Sequence, residues 1–206
     1  MTSRKNIFVA ALAALVVLVL TGCGGGGTGL DNGGGSGGGG GERLAASYTG
    51  DFNTEYGDGQ NDSRGPLGQS FTGDGGLITR ASFNGYKVAG SPTGSFVIEL
   101  QSEKDGVPSG VVLITSDAIA TTNLSTTVTW QDWSFSNPNS FRTVLGAHYW
   151  LVLRKVDGLY GPGDWWITKA NTNPDSYPLG RLVSRATNGN WQELGNDALF
   201  RVYTRP

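Results

Sequence analysis

The chain has one cysteine, one histidine and one methionine. A single cysteine cannot close an internal disulfide, so no covalent staple holds the fold. A single histidine without a second thiol cannot build a zinc or iron site of the usual nitrogen and sulfur type. The same scarcity, with no Gly-x-Ser-x-Gly elbow outside the glycine run, removes the common nucleophilic triads, and His148 itself falls inside a strand pattern. Charge is sparse at 16% of residues, with 15 Lys+Arg against 17 Asp+Glu and no basic run. That balance argues against a nucleic-acid partner and against an electrostatic grip on anionic lipid. After residue 44 no stretch carries an apolar stripe of helical period. The one long hydrophobic run lies at the start of the chain.

That run, Ile7 to Leu20, follows Arg4 and Lys5 and ends on Leu20-Thr21-Gly22-Cys23. Its fourteen residues would span about 21 Å as a helix, short of the ~30 Å hydrocarbon core. A basic start, an apolar middle and small residues before a cut describe a secretory signal. The Leu-Thr-Gly-Cys ending resembles the lipobox of bacterial lipoproteins. The resemblance implies a signal peptide over residues 1–22, cleavage before Cys23, diacylation of the Cys23 sulfur and acylation of the new amine. A free thiol is a liability in an oxidising compartment, and lipidation removes it. The membrane is then a partner through the lipid, and the protein is extracytoplasmic in a bacterium. Residue 24 is Gly rather than Asp, which favours the outer membrane where the organism has one.

From Gly24 to Gly41, thirteen of eighteen residues are glycine and Asp31 is the only charge. With nothing to bury, residues 23–43 read as a lipidated cysteine followed by a flexible tether, with a mean reach of ~20–25 Å. The remaining body, residues 44–206, is long enough for one core. Loss of the signal leaves 13 basic and 17 acidic residues, a net charge of −4.

The body reads as β throughout. Phe96, Ile98 and Leu100 alternate with Val97, Glu99 and Gln101, the period of a strand. Around Tyr149 to Leu153 both parities are apolar, which predicts a central strand covered on both faces. Val128 and Trp130 share one parity and Trp133 and Phe135 the other, which predicts a bulge near Gln131-Asp132. Turn clusters such as Lys104-Asp105-Gly106, Gly161-Pro162-Gly163 and Asn188-Gly189-Asn190 punctuate the strands. Many short strands at this spacing predict an all-β, antiparallel β-sandwich of jelly-roll type in a single domain.

A further resemblance rests on order. Gln69-Ser70-Phe71-Thr72 is followed by Ile78 to Phe83, Gly90-Ser91-Pro92-Thr93-Gly94, Tyr149 to Leu153, Gly189-Asn190-Trp191 and Leu199-Phe200-Arg201-Val202-Tyr203. Over about residues 65 to 204 this set resembles the choice-of-anchor modules of bacterial surface proteins. The resemblance implies an extracytoplasmic sandwich held by a variable anchor, and it supplies no catalytic residues.

Two kinds of site remain open. Asp51, Asn53 and Glu55 alternate ahead of Asp58, Asn61 and Asp62, and a structural calcium is the one cofactor such oxygens suggest. An EF-hand would need Gly at the sixth position and Glu at the twelfth, where the chain has Tyr56 and Asp62. The second signal is aromatic: all six tryptophans fall in the body. Trp165 and Trp166 are strand neighbours, so one enters the core and the other leaves it. An outward ring near Asp164 and Asn171, extended by Tyr160, Tyr177 and Trp191, would make a stacking platform for a sugar. The bland alternative is that these rings are core and cross-strand packing. The function expected is a non-catalytic, membrane-anchored binding module, with carbohydrate as the candidate ligand. The alternative is a structural or assembly lipoprotein that contacts other envelope proteins.

Overall fold

The computed structural model describes residues 41–58, 65–88, 93–136, 141–157, 166–173, 177–186 and 188–206. Their strands are β1 (Arg43–Tyr48), β2 (Thr54–Asp58), β3 (Leu67–Thr72), β4 (Leu77–Lys87), β5 (Ser95–Lys104), β6 (Val107–Thr115), β7 (Ile119–Ala120), β8 (Thr129–Ser134), β9 (His148–Lys155), β10 (Trp166–Asn171), β11 (Leu182–Arg185), β12 (Trp191–Glu193), β13 (Asp197–Ala198) and β14 (Phe200–Arg205). Among the described residues a single 3₁₀ turn, Thr121–Asn123, is the helical content.

The strands form two antiparallel sheets. One runs β1-β14-β4-β10-β13, with β8 on β4 and β2 on β10; the other runs β12-β11-β3-β9-β5-β6, with β7 on β5. The longer strands nest in sequence: β1 pairs β14, β3 pairs β9, β4 pairs β8 and β5 pairs β6. Pairing first with last and working inward, while alternating between sheets, is the jelly-roll arrangement.

Alternation decides what faces inward. In β5, Phe96, Ile98 and Leu100 enter the core, opposite Leu153 and Leu151 of β9. As the two-sided pattern predicts, β9 is central, between β3 and β5. Trp133 of β8 meets Phe83 and Trp166 edge-on, with centroids 6.5 and 5.6 Å apart, the geometry that ring quadrupoles favour. Gly85 lets β10 close on β4, since a Cβ there would lie 2.1 Å from the Ile167 carbonyl oxygen.

The predicted bulge at Gln131-Asp132 is absent. The β4–β8 register runs unbroken from Arg80↔Ser134 to Gly85↔Thr129. Trp130 keeps its phase and lies half-buried with the Arg201 guanidinium 3.9 Å above its ring. A cation over the ring, rather than a kink, accounts for an aromatic on that parity.

Gln69 ties the sheets together. It is fully buried in β3, and its Nε2 donates to Asp197 Oδ1 (3.1 Å) and to the Ser70 carbonyl (3.2 Å). Its Oε1 accepts from Ala198 N at 2.8 Å. Asp197 Oδ2 accepts from Tyr177 N at 2.9 Å. Burial pushes the Asp197 carboxyl above its usual range, and the bonds from Gln69 and Tyr177 offset part of that rise.

Candidate ligand-binding groove

Outer faces of antiparallel sandwiches are usually solvated. The outer face of the first sheet follows that rule with a ladder of charge pairs. Arg80 reaches Glu42 (2.7 Å) and Asp132 (2.5 Å) and lies over the Tyr203 ring. The second sheet breaks the rule. On its outer face Trp150, Val152 and Val183 are sealed and form a small apolar cluster of their own, with Trp191 packed against it. In register beside them, Glu99 is only 6% exposed and Gln101 5%.

Two hairpins cause this burial. The β5–β6 pairing shifts register between Leu100 and Gln101 and again before Glu103. The irregular stretch carries buried Pro108 onto the face, and Gly68 makes room for it. A Cβ at Gly68 would meet Pro108 at 3.2 Å and Trp150 at 3.3 Å. From the other side β12 brings Trp191 opposite Arg185 of β11. Between the hairpins lies a groove of about 610 Å³, within the ~300–1,000 Å³ range of ligand sites.

Its floor is polar and fixed. Arg154 donates from Nε to Glu99 Oε1 at 2.6 Å, and its NH2 nitrogen lies 2.6 Å from the same oxygen. Gln101 donates from Nε2 to Glu99 Oε2 at 2.9 Å and accepts from Gly110 N at 3.0 Å. At the rim Arg185 donates from Nε to the Gly189 carbonyl at 3.1 Å. It has no ion-pair partner among the described residues. The Lys155 ammonium turns instead toward Thr93 Oγ1, 3.5 Å away. The groove therefore presents two guanidinium groups to one carboxylate, beside an indole wall. Such a surface can take a flat apolar ring face, hydroxyl groups and negative charge at once.

The residues singled out from sequence scatter. Trp191 alone lines this groove. Trp166 is fully buried against Trp133, so it offers no ring to a ligand and the platform cannot include it. Asn171 is also buried, because its amide donates to the Tyr48 hydroxyl and the Asp51 carbonyl, both at 2.7 Å. It ties strands rather than meeting sugar. Tyr177 packs edge-on against Phe200 at 5.1 Å and edges a separate depression of about 300 Å³ with Arg181 and Asp197. Burial holds the Tyr177 hydroxyl pKa above its ordinary value. Cys23, Tyr160, Asp164 and Trp165 lie outside the described residues, as do Asn61 and Asp62.

The calcium candidates serve protein partners. Asn53 Oδ1 accepts from Thr172 N at 2.9 Å, and Glu55 pairs with Lys169 and accepts from the Tyr86 hydroxyl. The bond from Lys169 holds the Glu55 carboxyl below its usual range, against a smaller opposing effect of burial. Asp51 contributes its backbone carbonyl to Tyr48 and Asn171. Among the described residues no three acidic, histidine or cysteine side chains gather as a metal site.

Sequence reasoning took Glu99 and Gln101 only as the alternate parity of a strand and passed over Arg154 and Arg185. The available signal was the apolar outer parity of β9, Trp150 and Val152, which implied that something covers that face.

No protein-family model matches this chain, and no curated protein matches it either.

Proposed function

We propose that this chain is a bacterial lipoprotein, anchored through acylated Cys23, whose sandwich serves as a non-catalytic extracytoplasmic binding module for carbohydrate. The lipobox-like Leu20-Thr21-Gly22-Cys23 and the glycine run behind it support the anchoring half. One observation carries the binding half: the outer face of the second sheet is built into a groove with a fixed polar floor and a tryptophan wall. A solvated face would need no such construction. Glu99 is the one carboxylate among the described lining residues, whereas glycoside hydrolysis ordinarily takes two. That favours holding a glycan over cutting it.

The test is pull-down of the mature protein, in detergent micelles, on a broad panel of immobilised polysaccharides, compared with Trp191→Ala. Retention of the parent on at least one polysaccharide, lost in the variant at an unchanged melting temperature, is expected. Binding untouched by Trp191→Ala, or none across the panel, defeats the reading.

A second reading, an envelope assembly protein, draws on one feature. Strand β6 ends its sheet and exposes Val111 and Val112. An apolar sheet edge can add a strand from another protein. Cross-linking in intact cells that yields one dominant protein partner through β6 would favour it.

A further inference from the structure

We infer that the groove selects carboxylated saccharides, oligomers of uronic acids, over neutral ones; this deepens the carbohydrate reading and rests on it. Three chemistries converge on the site, and each requires something different of a ligand. Trp191 supplies an apolar ring that suits the C–H face of a pyranose. Glu99 and Gln101, at 6% and 5% exposure, supply fixed carboxylate and amide groups that suit sugar hydroxyls. Arg185 supplies a charge that nothing described in the protein neutralises.

The charge is what separates uronates from neutral sugars. Arg154 and Glu99 cancel across 2.6 Å, so an incoming ligand meets the remaining guanidinium of Arg185. Its Nε is fixed on the Gly189 carbonyl, which holds the group at the rim and leaves its other nitrogens to donate. A guanidinium pairs with a carboxylate in a fork of two bonds. The mature chain carries a net charge of −4, so a groove of net positive lining on an acidic protein is a local exception that draws anions. A plain phosphate would satisfy Arg185 but bring no hydroxyl to Glu99 and no face to Trp191. A neutral glycan would satisfy those two and leave Arg185 unpaired. A uronate answers all three.

The experiment compares each ligand with its own uncharged form. Isothermal titration of the mature protein in micelles would use oligomers of galacturonic, glucuronic and mannuronic acid, each as free acid and as methyl ester, beside neutral oligomers of glucose, galactose and mannose. At least one acid is expected to bind about tenfold or more tightly than its ester, as befits one charge-assisted pair. That preference should shrink as ionic strength rises. Arg185→Gln, at an exposed position, should abolish the preference while leaving residual binding of the ester. Equal affinity for acid and ester, or a preference that survives Arg185→Gln, overturns the inference. Preferred binding of neutral oligosaccharides overturns it too but leaves the carbohydrate reading standing. Silence toward uronates, esters and neutral glycans alike overturns both.

Discussion

Gln69→Leu tests whether one buried amide holds the two sheets in register. Leucine has nearly the volume of glutamine and lacks its hydrogen bonds, so the change isolates polarity from packing. Ala198 N would lose its 2.8 Å acceptor and Asp197 Oδ1 its 3.1 Å donor. Stranding the buried amide costs ~1–3 kcal/mol, and removing a donor from a buried carboxylate costs ~1.5–3 kcal/mol. Some of this is offset by the more favourable burial of leucine. A net loss of about 3 kcal/mol is a large share of the ~5–15 kcal/mol that holds a domain together. In a body of this size it should lower the melting temperature by ~6–12 °C.

The pH dependence gives the sharper check. Asp197 has a folded pKa above its ordinary value of 3.8, so the fold binds the proton more tightly than the unfolded chain does. Stability contributed by this group is therefore greatest below that value and falls as pH rises through the folded one. Removing the Gln69 donor raises the folded value further. The gap between parent and variant should widen toward about pH 7 and narrow toward pH 4, where the carboxyl is closer to neutral in both states. Urea melts at the two pH values measure it. A loss under ~1 kcal/mol, or one equal at both pH values, would refute the role of Gln69.

Two further substitutions follow from burial. Trp166→Ala should cost ~3–5 kcal/mol in chemical denaturation, because it empties a fully buried site packed on Trp133; a loss under ~1 kcal/mol would mean the ring is not sealed there. The double change Glu99→Leu with Arg154→Met should leave stability within ~1 kcal/mol of the parent, since Glu99 is sealed but Arg154 is 39% exposed and a half-open pair contributes little net. It should also abolish polysaccharide retention, and a variant that still binds would remove the polar floor from the site.

Much of the sandwich was legible because alternation is a local signal. The pattern of β5 and the doubled pattern of β9 fixed which residues face the core and which strand is central. Strands β1 and β2 were not legible, since each is short and buries little: Ala46 in one, Gly57 in the other. Their strand character comes from pairing with β14 and β10, not from their own residues. For Trp165-Trp166, parity required that the two point apart, but only the register of β10 on β4, Thr168↔Gly85, turns Trp166 inward. At the groove, Trp191 was legible as an aromatic beside a turn. Glu99 and Gln101 alternate with buried Phe and Leu as any solvated face would. What holds them is tertiary: Arg154 and the Gly110 amide bond them, and hairpins bring Pro108 and Trp191 onto the same face.

The polar floor is the feature that stability does not explain. A sheet face that needs covering is covered more favourably by apolar side chains, because taking a carboxylate out of water costs several kcal/mol before a half-exposed guanidinium such as Arg154 returns any of it. The first sheet shows the inexpensive solution, with Arg80, Glu42 and Asp132 paired at partial exposure. The second sheet buries Glu99 instead, satisfies both its oxygens, and sets it under an open groove rather than under more protein. Hydrogen bonds that hold a carboxylate rigid at the bottom of an accessible cavity lower the entropy cost of meeting a ligand there. Fold stability gains little from that rigidity, and the proposed binding role would account for it.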